Sequence, residues 1–262
     1  MNGKELSEAL RSGRRVYGTA ILSPSPRWVG AVRGSGIDFV FIDTEHTPLD
    51  RQPVAWMCEA YSAAGLAPVV RIPEPDPFEA CKVLDGGAEG VIAPYVETPE
   101  QVQALRGAAK LRPLKGKRLH DVLAGRAELE PELADYLARR NAGSVLIVNI
   151  ESVPALEALD DILAVPGLDA VLIGPHDLSC SLGLPEQYAH PRFEAAVREV
   201  FRKARATGVG AGIHFWAEIE REIAWAKAEA NLIVHSSDIG LFGGGLRRDI
   251  AALRQALDDD AG

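Results

Sequence analysis

The stretch IDFVFIDTEHTP, residues 37–48, is an apolar run that ends in charge: Asp43, Glu45 and His46 fall within four residues of Ile42. A buried strand ordinarily ends in turn chemistry, in Gly, Asn, Asp or Pro. Two carboxylates and an imidazole crowded at a strand end mark a candidate site. Whether they form one depends on what the chain does at equivalent points.

Runs of the same kind recur. VYGTAIL (16–22), APVVRI (67–72), GVIAPY (90–95), SVLIVNI (144–150), LDAVLIGP (168–175), GVGAGIHF (208–215) and NLIVHSS (231–237) are all short and apolar, and several are rich in β-branched residues. Continuous apolar runs of this length suit strands buried on both faces, as in parallel sheets. Between them lie stretches of helical periodicity, such as PVAWMCEAYSAA and FEAAVREVFRKARA, and Gly65, Gly86, Gly143, Gly167 and Gly208 stand where helix C-caps are expected. Eight strands alternating with helices predict an α/β fold, a (β/α)8 TIM barrel of parallel strands. A doubly wound open sheet is the alternative, but the Gly-rich phosphate fingerprint after the first strand is missing. One longer loop and helix insertion, Leu111 to Asn141, follows the fourth strand, and no linker divides the chain, so residues 1–262 are expected to form one barrel domain.

Composition agrees with a folded, soluble chain. The 262 residues are 47% apolar and 25% charged, with a net charge of −9. The pI near 5.2 offers no basic surface to nucleic acid or anionic lipid. The N-terminal segment has no apolar h-region, and no run approaches the ~20 apolar residues of a membrane span. Three scattered cysteines argue against a disulfide framework and point to a reducing cytoplasm.

In a barrel, chemistry belongs at the C-terminal strand ends. There the sequence places Asp43, Glu45 and His46, then Arg71, Glu151, Gly174-Pro175-His176-Asp177, His214, and Ser236-Ser237-Asp238. Glu151 and Asp177 end neighbouring strands, whose axes lie about 4.8 Å apart. Two converging carboxylates repel unless a cation sits between them, and hard oxygen donors suit Mg²⁺ or Mn²⁺. From pattern alone they are equally readable as caps of the following helices. Arg71, closing a core strand, needs an anionic partner and is either functional or half of a structural ion pair. His46 is a candidate general base, with Asp43 three residues earlier to hold its tautomer. His120, His190 and His235 read as structural. None of the seven lysines ends a strand, so a Schiff-base aldolase is disfavoured and any lyase here should be metal-dependent.

The segments IDTEHTP, PVVRIPEPDP, VLDGGAEGVIAPYVETPEQ, VNIES and GPHDLSCSLG, in this order and spacing, resemble the HpcH/HpaI family of metal-dependent class II 2-oxo acid (pyruvate) aldolases over about residues 13–257. The resemblance implies a TIM barrel that binds Mg²⁺, Mn²⁺ or Co²⁺. It further implies reversible cleavage of a 4-hydroxy-2-oxo acid to pyruvate and an aldehyde, through an enolate held at the metal. Its assembly is a homo-oligomer, a hexamer built as a trimer of dimers that exchange the last helix. Carried over by motif, Glu151 and Asp177 are metal ligands, and backbone N–H groups around Gly174, Pro175, His176 and Asp177 hold the pyruvate carboxylate. Arg71 neutralises the enolate oxygen, His46 with Asp43 shuttles protons, and Glu45 and Asp85 support the site. Related citrate- or malyl-CoA-type lyases and a non-catalytic metabolite-binding barrel are the competing readings. Lys115, Lys117, Arg118 and His120 depart from the family pattern. If the basic loop that carries them folds over the barrel mouth, it would meet a negatively charged aldehyde.

Overall fold

Period-two alternation through the strands sorts the side chains of this chain into two separate cores. The computed structural model describes residues 1–259. Its strands are β1 (Val16–Ile21), β2 (Phe39–Asp43), β3 (Ala67–Arg71), β4 (Gly90–Ala93), β5 (Val145–Ile150), β6 (Ala170–Ile173), β7 (Gly210–Phe215) and β8 (Leu232–Ser237). All pair in parallel in sequence order, and β8 closes onto β1. The expected (β/α)8 barrel is therefore the fold.

Phe39, Phe41, Val69, Ile92, Ile147, Leu172 and Val234 point inward and fill the barrel. Their strand neighbours, such as Val40, Ile42, Val70, Val148, Val171 and Ile213, point outward and pack under the helices. Each face is apolar, which is why the strands read as unbroken hydrophobic runs. A Cβ on Gly18 would stand 2.4 Å from the Phe39 ring, so that inward position is small to admit the aromatic.

The N-terminal helix Gly3–Ser12 plugs the end of the barrel where the strands begin, with Leu6 and Leu10 fully buried beneath the interior core. Asp169, just before β6, ties this end together. It accepts from Arg11 Nε (2.8 Å), Lys110 Nζ (2.6 Å), Ser7 Oγ (2.6 Å) and the Leu146 N–H (2.8 Å). Burial works to raise its pKa, but Lys110 and these donors hold it below the usual carboxylate range.

The insertion between β4 and β5 is helical. After the helix Pro99–Lys110 come Gly116–Leu123 and Pro131–Arg140. The basic segment thus lies in a helix on the outer flank, where Leu119 and Leu123 lie against Gly107 of the helix Pro99–Lys110. Lys117 pairs with Asp121 and Arg118 with Glu130. This corrects the expectation that the segment folds over the barrel mouth. The segment follows a helix, and helices of the barrel run back to the end where strands begin.

Candidate active site

The alternation that fills the barrel also aims its last inward residue on each strand into the mouth. On β2 and β3 these are Asp43 and Arg71, which the register places side by side. On β5 it is Asn149, followed two residues later by Glu151. Just past the end of β6 it is Gly174, on β7 His214 and on β8 Ser236. A cavity of about 580 Å³ opens above them, lined among others by Asp43, His46, Arg71, Asn149, Gly174, Asp177, His214 and Trp216.

Arg71 is held from two sides. Its Nε and Nη2 donate to the two oxygens of Asp43 at 2.9 and 2.8 Å, and its Nη1 lies 3.1 Å from Glu45 Oε2. The guanidinium also stacks 5.0 Å above the Phe41 ring. Burial alone would raise the Asp43 pKa, but the fork of Arg71 holds the carboxyl below its usual range. Burial alone would lower the Arg71 pKa, and Asp43 with Glu45 raises it instead. Arg71 is thus a fixed cation, only 12% exposed in its side chain.

The partner expected for Asp43 was His46. The structure corrects this: Asp43 spends both oxygens on Arg71, while His46 lies 62% exposed at the rim with Nε2 3.7 Å from Glu45 Oε1. Glu45, 8% exposed in its side chain, is therefore the acid between the arginine and the histidine.

Glu151 is not a helix cap. Ser152 caps the next helix through the Ala155 N–H. Glu151 instead accepts from the Tyr95 backbone N–H at 2.6 Å and from Asn149 Nδ2 at 3.0 Å. Tyr95 adopts φ 55° to present that N–H, and its phenol is pushed up to about 12, first by hydrogen bonding to Glu45. Burial raises the Glu151 pKa, and nearby Asp177 and Glu45 add to the rise against the two donors. Asp177 is in the first turn of the helix Pro175–Ser181 and meets Glu151 around Gly174. A Cβ on Gly174 would stand 2.7 Å from Glu151 Oε2 and 3.5 Å from Asp177 Oδ2. No described cluster of three or more His, Cys, Asp or Glu could enclose a metal. Two hard carboxylates beside an open cavity fit Mg²⁺ or Mn²⁺, which keep waters in their coordination shells.

Gly174, Pro175 and His176 also line the cavity. Pro175 has no N–H, so only the following first-turn amides are free of intrahelical partners and able to hold a carboxylate. Asp85 does not join the cluster. It ends the helix Pro77–Asp85, 77% exposed, and pairs with Arg112 at 2.8 Å, which also reaches Ser144 before β5. Within this chain it lies at the opposite end of the barrel, a further correction.

Some residues of the site had no place in the sequence reading, and His214 only a weak one. Asn149 is 2% exposed, and its Oδ1 has no hydrogen-bond partner. A polar residue at an inward position of an otherwise apolar strand was the available signal. His214 is packed edge-on between Phe41 and Trp216, and its Nε2 lies 2.9 Å from the Ser236 carbonyl oxygen. Burial, with Arg71 nearby, pushes its pKa down to about 4, so the ring is neutral.

A closed parallel barrel with an acidic pair and a buried arginine at its mouth defines a (β/α)8 barrel of the enzyme type, its polar groups gathered where the strands end. The chain belongs to the HpcH/HpaI aldolase/citrate lyase family, whose model matches residues 20–242. It is similar to the 2-keto-3-deoxy-L-rhamnonate aldolase of Salmonella gallinarum, 35% identical over 205 residues that cover 78% of this chain and 76% of the relative. Among solved structures it resembles an HpcH/HpaI aldolase from Desulfitobacterium hafniense (TM-score 0.82, 28% identity, 95% and 96% of the two chains). It also resembles the citrate synthase SbnG (TM-score 0.82, 30% identity, 97% and 98%). The protein is a carbon–carbon lyase of the class II aldolase type.

Proposed function

We propose that the protein reversibly cleaves 4-hydroxy-2-oxo acids to pyruvate and an aldehyde, using Mg²⁺ or Mn²⁺ held by Glu151 and Asp177. Co²⁺ would fit the same donors. The observation that carries this reading is the pair of carboxylates flanking Gly174, with Arg71 lining the same cavity. 2-Keto-3-deoxy-L-rhamnonate, which names the Salmonella relative, is one acid of that class.

In the cleavage direction the C3–C4 bond breaks and its electron pair passes to C3, while the 4-hydroxyl proton leaves as C4 becomes the aldehyde carbonyl. C3 then takes a proton to become the methyl of pyruvate. A divalent cation, when bound, supplies electron withdrawal at the 2-oxo oxygen. Arg71, kept ionised and oriented by Asp43 and Glu45, supplies fixed positive charge where the enolate oxygen develops, with no reorganisation needed at the moment of reaction. First-turn amides after Pro175 hold the carboxylate. His46 at the rim, with Nε2 facing Glu45 at 3.7 Å, moves the proton between substrate and solvent.

All of residues 1–262 would serve as one catalytic domain in a reducing cytoplasm, with no nucleic-acid or membrane partner. In support, no helix among the described residues is long and apolar enough to cross a membrane. The C-terminal helix Asp238–Ala256 exposes Ile239, Leu241, Phe242, Leu246, Ile250 and Leu253, a face that supports dimers joined through this helix and a hexamer of three such dimers.

The test is exchange of pyruvate methyl protons for deuterium, followed by NMR. Exchange with Mn²⁺ that stops on adding EDTA is expected. A metal-supplied enzyme that leaves the methyl group unexchanged would overturn the proposal.

A further inference from the structure

A second cavity, of about 350 Å³, lies at the closed end of the barrel and shares no lining residue with the mouth. It is set between the plug helix Gly3–Ser12, the helix Pro99–Lys110, the turn before β6 and the insertion helix Pro131–Arg140. None of its walls belongs to the C-terminal helix. Its volume falls within the range of small-molecule sites, roughly 300–1,000 Å³. Leu111, Leu129 and Leu137 supply apolar lining, and Arg11, Arg106 and Lys110 supply cations.

Two of these cations are already matched. Arg11 Nε and Lys110 Nζ take the two oxygens of Asp169, at 2.8 and 2.6 Å. Arg106 is not. Its Nη1 donates to Gln103 Oε1 at 3.3 Å, one turn back on its own helix, and no carboxylate lies within ion-pair distance among the described residues. Arg106 is half-buried all the same. Burial lowers its pKa with no anion to reverse the shift, whereas Asp43 and Glu45 reverse it at Arg71. A guanidinium withdrawn from water without a counter-charge costs free energy, and a carboxylate brought to it completes a charge-assisted pair.

The walls are fixed in place. Asn141 Nδ2 donates to the carbonyl oxygens of Lys110 (3.1 Å), Arg112 (2.8 Å) and Leu137 (2.9 Å), which fastens the insertion helix to the end of Pro99–Lys110. In the turn before β6, Gly167 has φ 89°, and a Cβ there would stand 3.3 Å from Lys110 Cγ and 3.9 Å from Arg106 Cγ. The bare backbone lets that turn lie along the stems of both cations. We propose that this cavity is a second ligand site, taking a small monocarboxylate with a short hydrocarbon chain: its carboxylate pairs with Arg106, and its chain lies against Leu111, Leu129 and Leu137. A second negative group on the ligand would meet Asp169, whose own cations are engaged. The aldolase reading of the mouth does not enter.

Titration calorimetry tests this with hexanoate as the probe, on the full chain with Mn²⁺ and saturating pyruvate present to occupy the mouth. Acetate, which lacks the chain, and hexan-1-ol, which lacks the charge, are the comparisons. Hexanoate should bind about ten-fold or more tightly than either, since chain burial and the ion pair both contribute. Arg106→Gln should weaken hexanoate about ten-fold or more and leave hexan-1-ol level, whereas Arg106→Lys retains part of the preference. Ala138→Phe, which adds a ring at a lining position on the exposed part of the insertion helix, should block hexanoate while circular dichroism stays that of the wild type. A wild type that does not bind hexanoate overturns the proposal. So does a folded Arg106→Gln protein that binds it as tightly as wild type, or hexanoate affinity that falls in proportion to added pyruvate, which would place the probe at the mouth.

Discussion

Alanine at Gly174 should weaken metal binding without replacing a ligand. The backbone there has φ −84° and ψ 98°, open to any L-residue, so the substitution carries no conformational strain. Its whole effect lies in the added methyl group, 2.7 Å from Glu151 Oε2 and 3.2 Å from Glu151 Cβ. The first distance is about 0.7 Å inside the ordinary limit of 3.4 Å. Glu151 cannot yield that much freely. Its carboxylate is fixed by the Tyr95 N–H at 2.6 Å and by Asn149 at 3.0 Å, and moving away breaks at least one of these. A hydrogen bond to a charged group contributes about 1.5–3 kcal/mol, so Mn²⁺ should bind roughly ten- to hundred-fold more weakly. Titration calorimetry on EDTA-stripped protein measures this, with circular dichroism to establish that the barrel is intact. Proton competition supplies a second arm. Glu151 has a raised pKa, so its proton competes with metal at higher pH than an ordinary glutamate would, and wild-type affinity should rise with pH through that range before levelling. A folded Gly174→Ala protein with wild-type Mn²⁺ affinity would refute the reasoning that this glycine makes room for the ligand pair.

Asp43→Asn should destabilise the protein by about 3–5 kcal/mol in urea, because it leaves a largely buried arginine short of its main partner. Asp43 has a depressed pKa in the fold, so its stabilisation is present above the unfolded value of 3.8 and is lost as pH falls through the folded one; the wild-type advantage should shrink below about pH 4. Asp169→Asn should cost a similar amount of stability while kcat stays at the wild-type level, since Asp169 lies at the end of the barrel away from the mouth; a large fall in kcat in the folded variant would contradict that division. Lys117→Ala combined with Arg118→Ala should leave kcat/KM for acidic and neutral aldehydes within about two-fold of wild type; selective loss for the acidic one would return the basic segment to the active site.

The barrel was legible because most strands are buried on both faces, and such strands write themselves as unbroken apolar runs. The ring of polar groups was legible for a related reason, since polar side chains at the ends of such runs have few places to go. What misled was nearness in the chain. Asp43 was read with His46, three residues away, although its partner is Arg71, one strand over. Alternation carries the correction: Asp43 follows the inward Phe41 by two residues, and Arg71 follows the inward Val69 by two, so both face the interior at adjacent positions. The insertion misled in the same way. Its charge suggested a mouth loop, yet a segment that follows a helix lies at the end where strands begin, and the i, i+4 pair Leu119 and Leu123 marks an amphipathic helix. Tyr95 left no such trace. Its role depends on a backbone turned to φ 55°, which a tyrosine does not announce.

The two ends of the barrel treat a buried carboxylate in opposite ways. At the closed end Asp169 receives a lysine, an arginine, a hydroxyl and an amide, and its pKa falls. At the mouth Glu151 receives an amide and an asparagine but no cationic side chain within ion-pair distance among the described residues, and its pKa rises. A buried acid without a counter-charge opposes folding. The chain can build the stabilising arrangement, because it does so at Asp169, and at the mouth it instead places a second acid, Asp177, across Gly174. A fold optimised for stability alone would have put a cation or an apolar side chain there. If, as proposed, a cation from outside the chain joins Glu151 and Asp177, the cost of burying Glu151 without a counter-charge would be recovered on binding, and the arrangement that weakens the isolated barrel would strengthen metal binding.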